Sequence, residues 1–250
     1  MTATTQASSP TRSPAPKRRT WPWILGSVVL VLLLAVAGGI FYFSNLLGDR
    51  IKIAANPEPE PDVTVQSVEG AAVTYTVTPN DTGWADLGHM ALDMTNGGWF
   101  LSEDPTEGDP ATRTVTAQSN PPTLTQGDTG TFDGFYYFEN PKQGMGLDYK
   151  DVKYSSPAGD FDAWLVPGNP TEKTWVIFTH GLNSSPREGL RTLETTNKLG
   201  YTTMLITYRN DANQPQTDGY VSFGEDEWLD LQGAVQYALD NGAEEVFLVG

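Results

Sequence analysis

Hydrophobic positions along the chain follow three successive rhythms. The first runs from Trp21 to Phe43 (WPWILGSVVLVLLLAVAGGIFYF), a stretch without a single charged residue. An apolar helix needs about 20 residues to cross a hydrocarbon layer of roughly 30 Å. Trp21 and Trp23 stand at one end and Phe41, Tyr42 and Phe43 at the other, as aromatic belts do at the two membrane interfaces. The pattern predicts one transmembrane helix over residues 21–43, with the lipid bilayer as its partner. The second rhythm is short-range alternation between residues 62 and 146. VTVQSV and AAVTYTV flank a turn at Glu69-Gly70, and GGWFLSED and TRTVTAQS follow between clusters of Pro, Gly, Asn and Asp. This predicts a small β-rich module, joined to the helix by a linker over 44–61 that includes the stiff, charged NPEPEP.

After Gly146 the rhythm changes again. DYKDVKY and DFDAWLV, on either side of SSPAG, predict an antiparallel hairpin. TWVIFTH (174–180), YTTMLITY (201–208) and EVFLVG (245–250) are continuous apolar runs, the mark of strands buried on both faces. Between them lie two helical patterns. One spans 186–199, with Leu190, Leu193 and Leu199 on a common side and Gly200 as its stop. The other opens at Ser222, where Ser222-x-x-Glu225 reads as a capping box, and sets Trp228, Leu231, Val235 and Leu239 on one face. Strand–helix–strand–helix–strand with short links predicts an α/β domain over 147–250: a parallel βαβαβ sheet preceded by the hairpin.

Charge sharpens the topology. The first twenty residues hold Arg12, Lys17, Arg18 and Arg19 and no acid, whereas the whole chain of 250 residues carries a net −16. The segment 1–20 therefore reads as a disordered basic tail. The positive-inside rule puts it in the cytoplasm and the acidic remainder outside the membrane. Cleavage at Ala35-Val36-Ala37 is the competing reading of the apolar run, which continues past that point to Phe43. The acidic balance argues against nucleic acid as a partner. The absence of Cys removes disulfides, Cys-ligated metal and a thiol nucleophile, and no cofactor is called for.

Chemistry concentrates after the run that ends at Thr179. His180-Gly181-Leu182 follows a buried strand, at the carboxyl edge where open α/β sheets bind ligands. Gly181 would let the backbone turn sharply there, and Asn183 and Ser184 lie in the same loop as candidate substrate contacts. Arg187 either braces this loop or sits in solvent. Arg209 pins the loop from Tyr208 to Asp211. Glu225, Asp226, Glu227 and Asp230 resemble a metal cluster, but acids at a helix start are also what the macrodipole favours. Ser222 has one residue too many before it, in Gly219-x-x-Ser222-x-Gly224, for a G-x-S-x-G turn, and the bland role of helix cap suffices. His89 in the β module is more simply structural.

The segments WVIFTHGLNSSPREGLR, ITYRND and GYVSFGEDEWLDLQGAVQYALDNGAEEVFLVG resemble those of actinobacterial membrane-anchored α/β-hydrolases, within the wider group of serine esterases and prolyl-oligopeptidase-like enzymes. AWLVPG (163–168) and the anchor followed by a β region fit the same resemblance. The resemblance implies that His180, Gly181 and Leu182 form one side of an oxyanion hole and that the substrate is a small ester or peptide-like molecule. It also implies that a G-x-S-x-G elbow follows the third strand, with Gly250 as its first Gly and Ser, acid and His beyond. His89 and His180 are the two histidines and neither stands where a triad base belongs. The expectation is therefore the front part of a serine-type acyl hydrolase, itself inactive and of poor stability. The alternative from another class is a non-catalytic membrane-anchored surface protein with a vestigial hydrolase half.

Overall fold

The computed structural model describes residues 21–53, 60–77, 88–107, 109–118, 123–182 and 184–250, with the backbone alone at 109 and 110. Two compact units emerge, Met1–Ile51 and Lys52–Gly250.

In the first unit, helix α1 (Trp21–Arg50) is long and apolar enough to cross a membrane, and its richest window has a mean hydropathy of 2.7. It extends seven residues past the expected end at Phe43, into what reads in sequence as linker. Leu46 and Leu47 continue the apolar surface. Asn45 Nδ2 donates to the Phe41 carbonyl at 2.9 Å, and Arg50 sits in the last turn, where the helix dipole favours a cation.

Among the described residues the second unit contains two sheets. Six antiparallel strands close a barrel in the order β1-β2-β5-β4-β3-β6. They are β1 (Val63–Glu69), β2 (Ala72–Val77), β3 (Met90–Met94), β4 (Trp99–Thr106), β5 (Asp109–Ala117) and β6 (Thr129–Asp133). The sequence pattern foretold strands but not closure. Closure removes the edges that a six-stranded sheet would otherwise expose. Inward positions alternate as the strand period demands, so Val63, Val65, Val73, Tyr75, Leu92 and Phe132 fill the interior. Arg113 is fully buried with them. It donates from Nε to Tyr75 Oη at 2.9 Å and from Nη1 to the carbonyls of Gly88 and Glu103 at 2.7 and 3.0 Å. A short helix, α2 (Pro141–Met145), leads out of the barrel. Asn140 caps it by accepting from the N–H groups of Lys142 and Gln143.

The other sheet is mixed, with strand order β11-β9-β10-β8-β7. The hairpin β7 (Lys150–Ser156) and β8 (Gly159–Val166) is antiparallel, and β8 pairs antiparallel with β10 (Thr202–Ile206). β9 (Thr174–Thr179) runs parallel to β10 on one side and to β11 (Glu245–Val249) on the other. The parallel part thus comprises three strands, and the fold as a whole is a barrel plus a mixed sheet rather than a purely parallel βαβαβ unit. β9 and β10 are buried, as their apolar runs require. β11 is not: it forms the sheet edge, with Phe247 and Leu248 more than half exposed.

Helices on the two faces complete the core. After a 3-10 turn (Pro186–Gly189), α3 (Leu190–Lys198) buries Leu190 and Leu193 against Phe178 and Leu205. Leu199 is exposed, contrary to its expected place beside them. At about 100° per residue, position 199 lies about 180° round from position 190. Gly189 is required for the close approach: a Cβ there would fall 2.5 Å from Phe178 Cδ1 and 2.8 Å from Leu205 Cδ2. α4 (Trp228–Asp240) starts six residues later than Ser222. Its buried seam is Asp230, Ala234 and Ala238, whereas Trp228 and Leu239 are exposed. Small residues allow the helix backbone to lie against β7, and a Cβ on Gly233 would meet the Ser155 carbonyl oxygen at 2.2 Å.

Candidate functional site

The carboxyl ends of β9 and β10 carry the residues singled out from sequence. His180 is buried directly beyond β9. Its Nε2 lies 3.1 Å from Asp211 Oδ2 and its Nδ1 lies 3.0 Å from the Gly181 carbonyl oxygen. Tyr208 Oη donates to the His180 carbonyl at 2.8 Å, and the two rings lie 4.7 Å apart. Burial, reinforced by the nearby Asp211 carboxylate, pushes the Tyr208 hydroxyl up to about 12. With both ring nitrogens facing oxygen acceptors, His180 acts as a post that fixes the strand end and offers no free nitrogen to a nucleophile.

Gly181 and Leu182 are exposed at the turn. The Gly181 N–H donates to Glu188 Oε2 at 3.1 Å, and Ser184 Oγ donates to the same oxygen at 2.6 Å. The Ser184 hydroxyl bond, outweighing burial and helped by the Gly181 N–H, holds the Glu188 carboxyl below the usual range. The Ser184 hydroxyl proton is therefore engaged inside the loop. No hydrogen bond joins the Leu182 N–H to any described residue. Gly181 does not occupy the left-handed region, and a Cβ there would meet only Glu188 Oε2, at 3.9 Å. Conformation thus does not demand the glycine, contrary to the expectation of a sharp turn. Asn183 lies outside the described residues.

Next to this edge is an apolar cavity of about 240 Å³, lined by Thr179, Ile206, Tyr208, Gly224, Glu227, Trp228 and Leu231. Three of the four acids considered as metal ligands have protein partners: Asp226 Oδ2 lies 3.7 Å from Arg209 Nη1, and Asp230 and Glu227 are held more closely. Asp230 accepts from Arg209 Nε and Nη2 at 2.8 and 2.9 Å, and from Ser156 Oγ at 2.5 Å. Glu227 accepts from the N–H groups of Ser222 and Gly224 and from the Ser222 hydroxyl. Burial opposes its ionisation, but the Ser222 hydroxyl and the backbone donors prevail and bring the Glu227 carboxyl down to about 2. Ser222 therefore pairs with Glu227, not with Glu225 as the capping-box spacing suggests. Arg209 holds more than its own loop: Asp230 also accepts its backbone N–H at 3.1 Å, so β10 is bolted to α4. Arg187 is not in solvent. It forms an ion pair with Asp133 at the end of β6, a contact between barrel and loop that sequence spacing cannot reveal. His89 is an exposed barrel residue, 2.9 Å from Glu103 Oε2.

No family model matches the chain. A polyisoprenyl-teichoic acid–peptidoglycan teichoic acid transferase of Oceanobacillus iheyensis is 43% identical over 49 residues, 18% of this chain and 15% of that protein. Similar solved structures include an esterase of Pyrococcus furiosus, with 23% identity and a TM-score of 0.38, covering 44% of this chain and 42% of that one. An α/β serine hydrolase without lid from Xanthomonas campestris has 16% identity and a TM-score of 0.32, over 40% and 49%. An acylaminoacyl peptidase of Pyrococcus horikoshii has 10% identity and a TM-score of 0.35, over 74% and 33%. The chain thus spans less than half the length of each of these proteins.

Proposed function

We propose that these residues form the membrane-tethered front part of an extracytoplasmic serine-type acyl hydrolase, acting on a small ester or peptide-like substrate. The observation that carries this reading is the turn after β9, where the Leu182 N–H has no hydrogen-bond partner among the described residues while the neighbouring Gly181 N–H is locked by Glu188. Acyl transfer needs fixed N–H donors at the place where negative charge develops on the carbonyl oxygen. Leu182 would supply one of them from a loop held by His180, Glu188 and Ser184.

Supporting geometry comes from the other strand. Gly250 follows β11, and a Cβ on it would come within 3.2 Å of the Thr179 carbonyl oxygen. The carboxyl end of β11 therefore lies beside the strand end that bears His180, and a nucleophile on a strand-to-helix turn at that place would face Leu182. The Ser, its general base and its acid would belong to residues outside these 250. The apolar cavity beside Tyr208 has the character expected for an acyl group. The basic tail before α1 favours a cytoplasmic N-terminus and an external C-terminal unit.

The test is activity-based labelling of the protein as produced from its own gene. A fluorophosphonate should label one serine and the label should vanish in that residue's Ser→Ala variant. A protein that stays unlabelled and hydrolyses no aryl ester would instead favour a non-catalytic surface protein.

A further inference from the structure

The barrel touches the candidate oxyanion loop through a small set of contacts that act on one element. Arg187 and Glu188 are consecutive in the 3-10 turn Pro186–Gly189. Glu188 reaches forward to Gly181 and Ser184. Arg187 reaches the opposite way, into the barrel. Its guanidinium pairs with Asp133 and lies between two rings, 5.1 Å from the Trp99 centroid and 4.9 Å from that of Phe135. One turn on, Arg191 Nη2 donates to the Gly134 carbonyl at 2.5 Å.

The barrel side of this grip is itself fixed. The Phe135 N–H donates to Asp133 Oδ1 at 2.7 Å, leaving Oδ2 for Arg187. Trp99 Nε1 donates to the Tyr136 carbonyl at 3.2 Å. Arg187 and Asp133 are each only about one-fifth exposed, so solvent screens the pair weakly. A planar fork held between two aromatic faces has few alternative positions. A displacement of Asp133 therefore moves the turn, and with it the carboxylate that locks Gly181.

We propose that the barrel is a working part of the hydrolase, and that Asp133 and Arg187 are positioning residues that set the Leu182 N–H through the 3-10 turn and Glu188. This rests on the acyl-hydrolase reading for its catalytic meaning, but not for the mechanical coupling. The barrel is then no passive stalk: anything bound to it that shifts the Asp133–Phe135 turn changes the rate at the oxyanion loop.

The experiment uses the full chain with Arg187→Met, which retains an apolar stem between the rings and deletes the fork, Asp133→Asn, and the double variant. Hydrogen exchange of the peptide covering 180–190 reads the coupling. It should accelerate about tenfold or more in each single variant, with the double variant no faster than the faster single, because the two residues act as one unit. Peptides from β9 and β10 should keep their protection, which separates loop release from global unfolding. In the protein made from its own gene, kcat and the fluorophosphonate labelling rate should fall about tenfold with KM within about twofold. Unchanged exchange at 180–190 in both single variants would overturn the proposal, as would wild-type labelling rates in a protein whose loop exchange has accelerated. If the wild type itself never labels, the acyl-hydrolase reading fails while the exchange data still decide the coupling.

Discussion

Arg209, just beyond β10, and Asp230, in the first turn of α4, form a fork-to-fork ion pair with no solvent access to the carboxylate. Ser156 of the hairpin donates to the same carboxylate, so three elements meet at one buried charge. Removing one partner of such a pair strands the other without compensation, at about 3–5 kcal/mol. Asp230→Ala should lose that much in urea unfolding, whereas an apolar double replacement, Arg209→Met with Asp230→Leu, should recover most of it. Equal losses in single and double variants would contradict the pairing.

Glu227 and Ser222 give a pH signature. The Glu227 carboxyl ionises at about 2, against an ordinary 4.5. A depressed acid stabilises the fold above its unfolded value and loses that contribution as pH falls through the folded one. Ser222→Ala should therefore cost about 1–2 kcal/mol near neutrality, allowing for partial exposure. The gap in melting temperature should close between pH 4.5 and 2. A gap that stays constant over that range would mean that the hydroxyl stabilises by a pH-independent route.

The two glycines near the site should behave differently. Gly189→Ala forces a Cβ against Phe178 and Leu205 and should cost about 1–3 kcal/mol by overpacking. Gly181→Ala meets only an ordinary contact and should fold with wild-type stability. Paired thermal melts check both, and the reverse ranking would contradict the geometry.

How much of this was legible in sequence depends on the range of the interaction. The runs at 174–180 and 201–208 announced buried strands because periodicity is local. β11 has the same apolar composition and, within these 250 residues, lies at the sheet edge with Phe247 and Leu248 exposed. Barrel closure was likewise invisible, as it depends on β1 meeting β6. The face of α4 is legible only in part: Leu231 and Val235 pack against the core as expected, whereas Trp228 and Leu239 are exposed and the deepest positions are Asp230, Ala234 and Ala238. An acid on a buried face is intelligible only once Arg209 is seen opposite. At the site, position along the chain pointed to His180, Gly181 and Leu182. The roles of Glu188 and of the Arg187–Asp133 pair depend on contacts that no spacing rule contains.

The orientation of α1 can be tested on these 250 residues without thiol background, because they contain no Cys. A single Cys at position 8 should resist a membrane-impermeant maleimide in intact cells, and one at position 60 should react. Reaction at both positions, or at position 8 alone, would contradict a cytoplasmic N-terminus.

The most direct measurement is the rate of fluorophosphonate labelling of the protein made from its own gene, in wild type and in Leu182→Pro, which deletes the N–H proposed as an oxyanion donor. Loss of one oxyanion donor should slow labelling by about 10²–10³-fold while circular dichroism stays unchanged. Wild-type labelling in a folded Leu182→Pro variant would contradict the assignment of this loop.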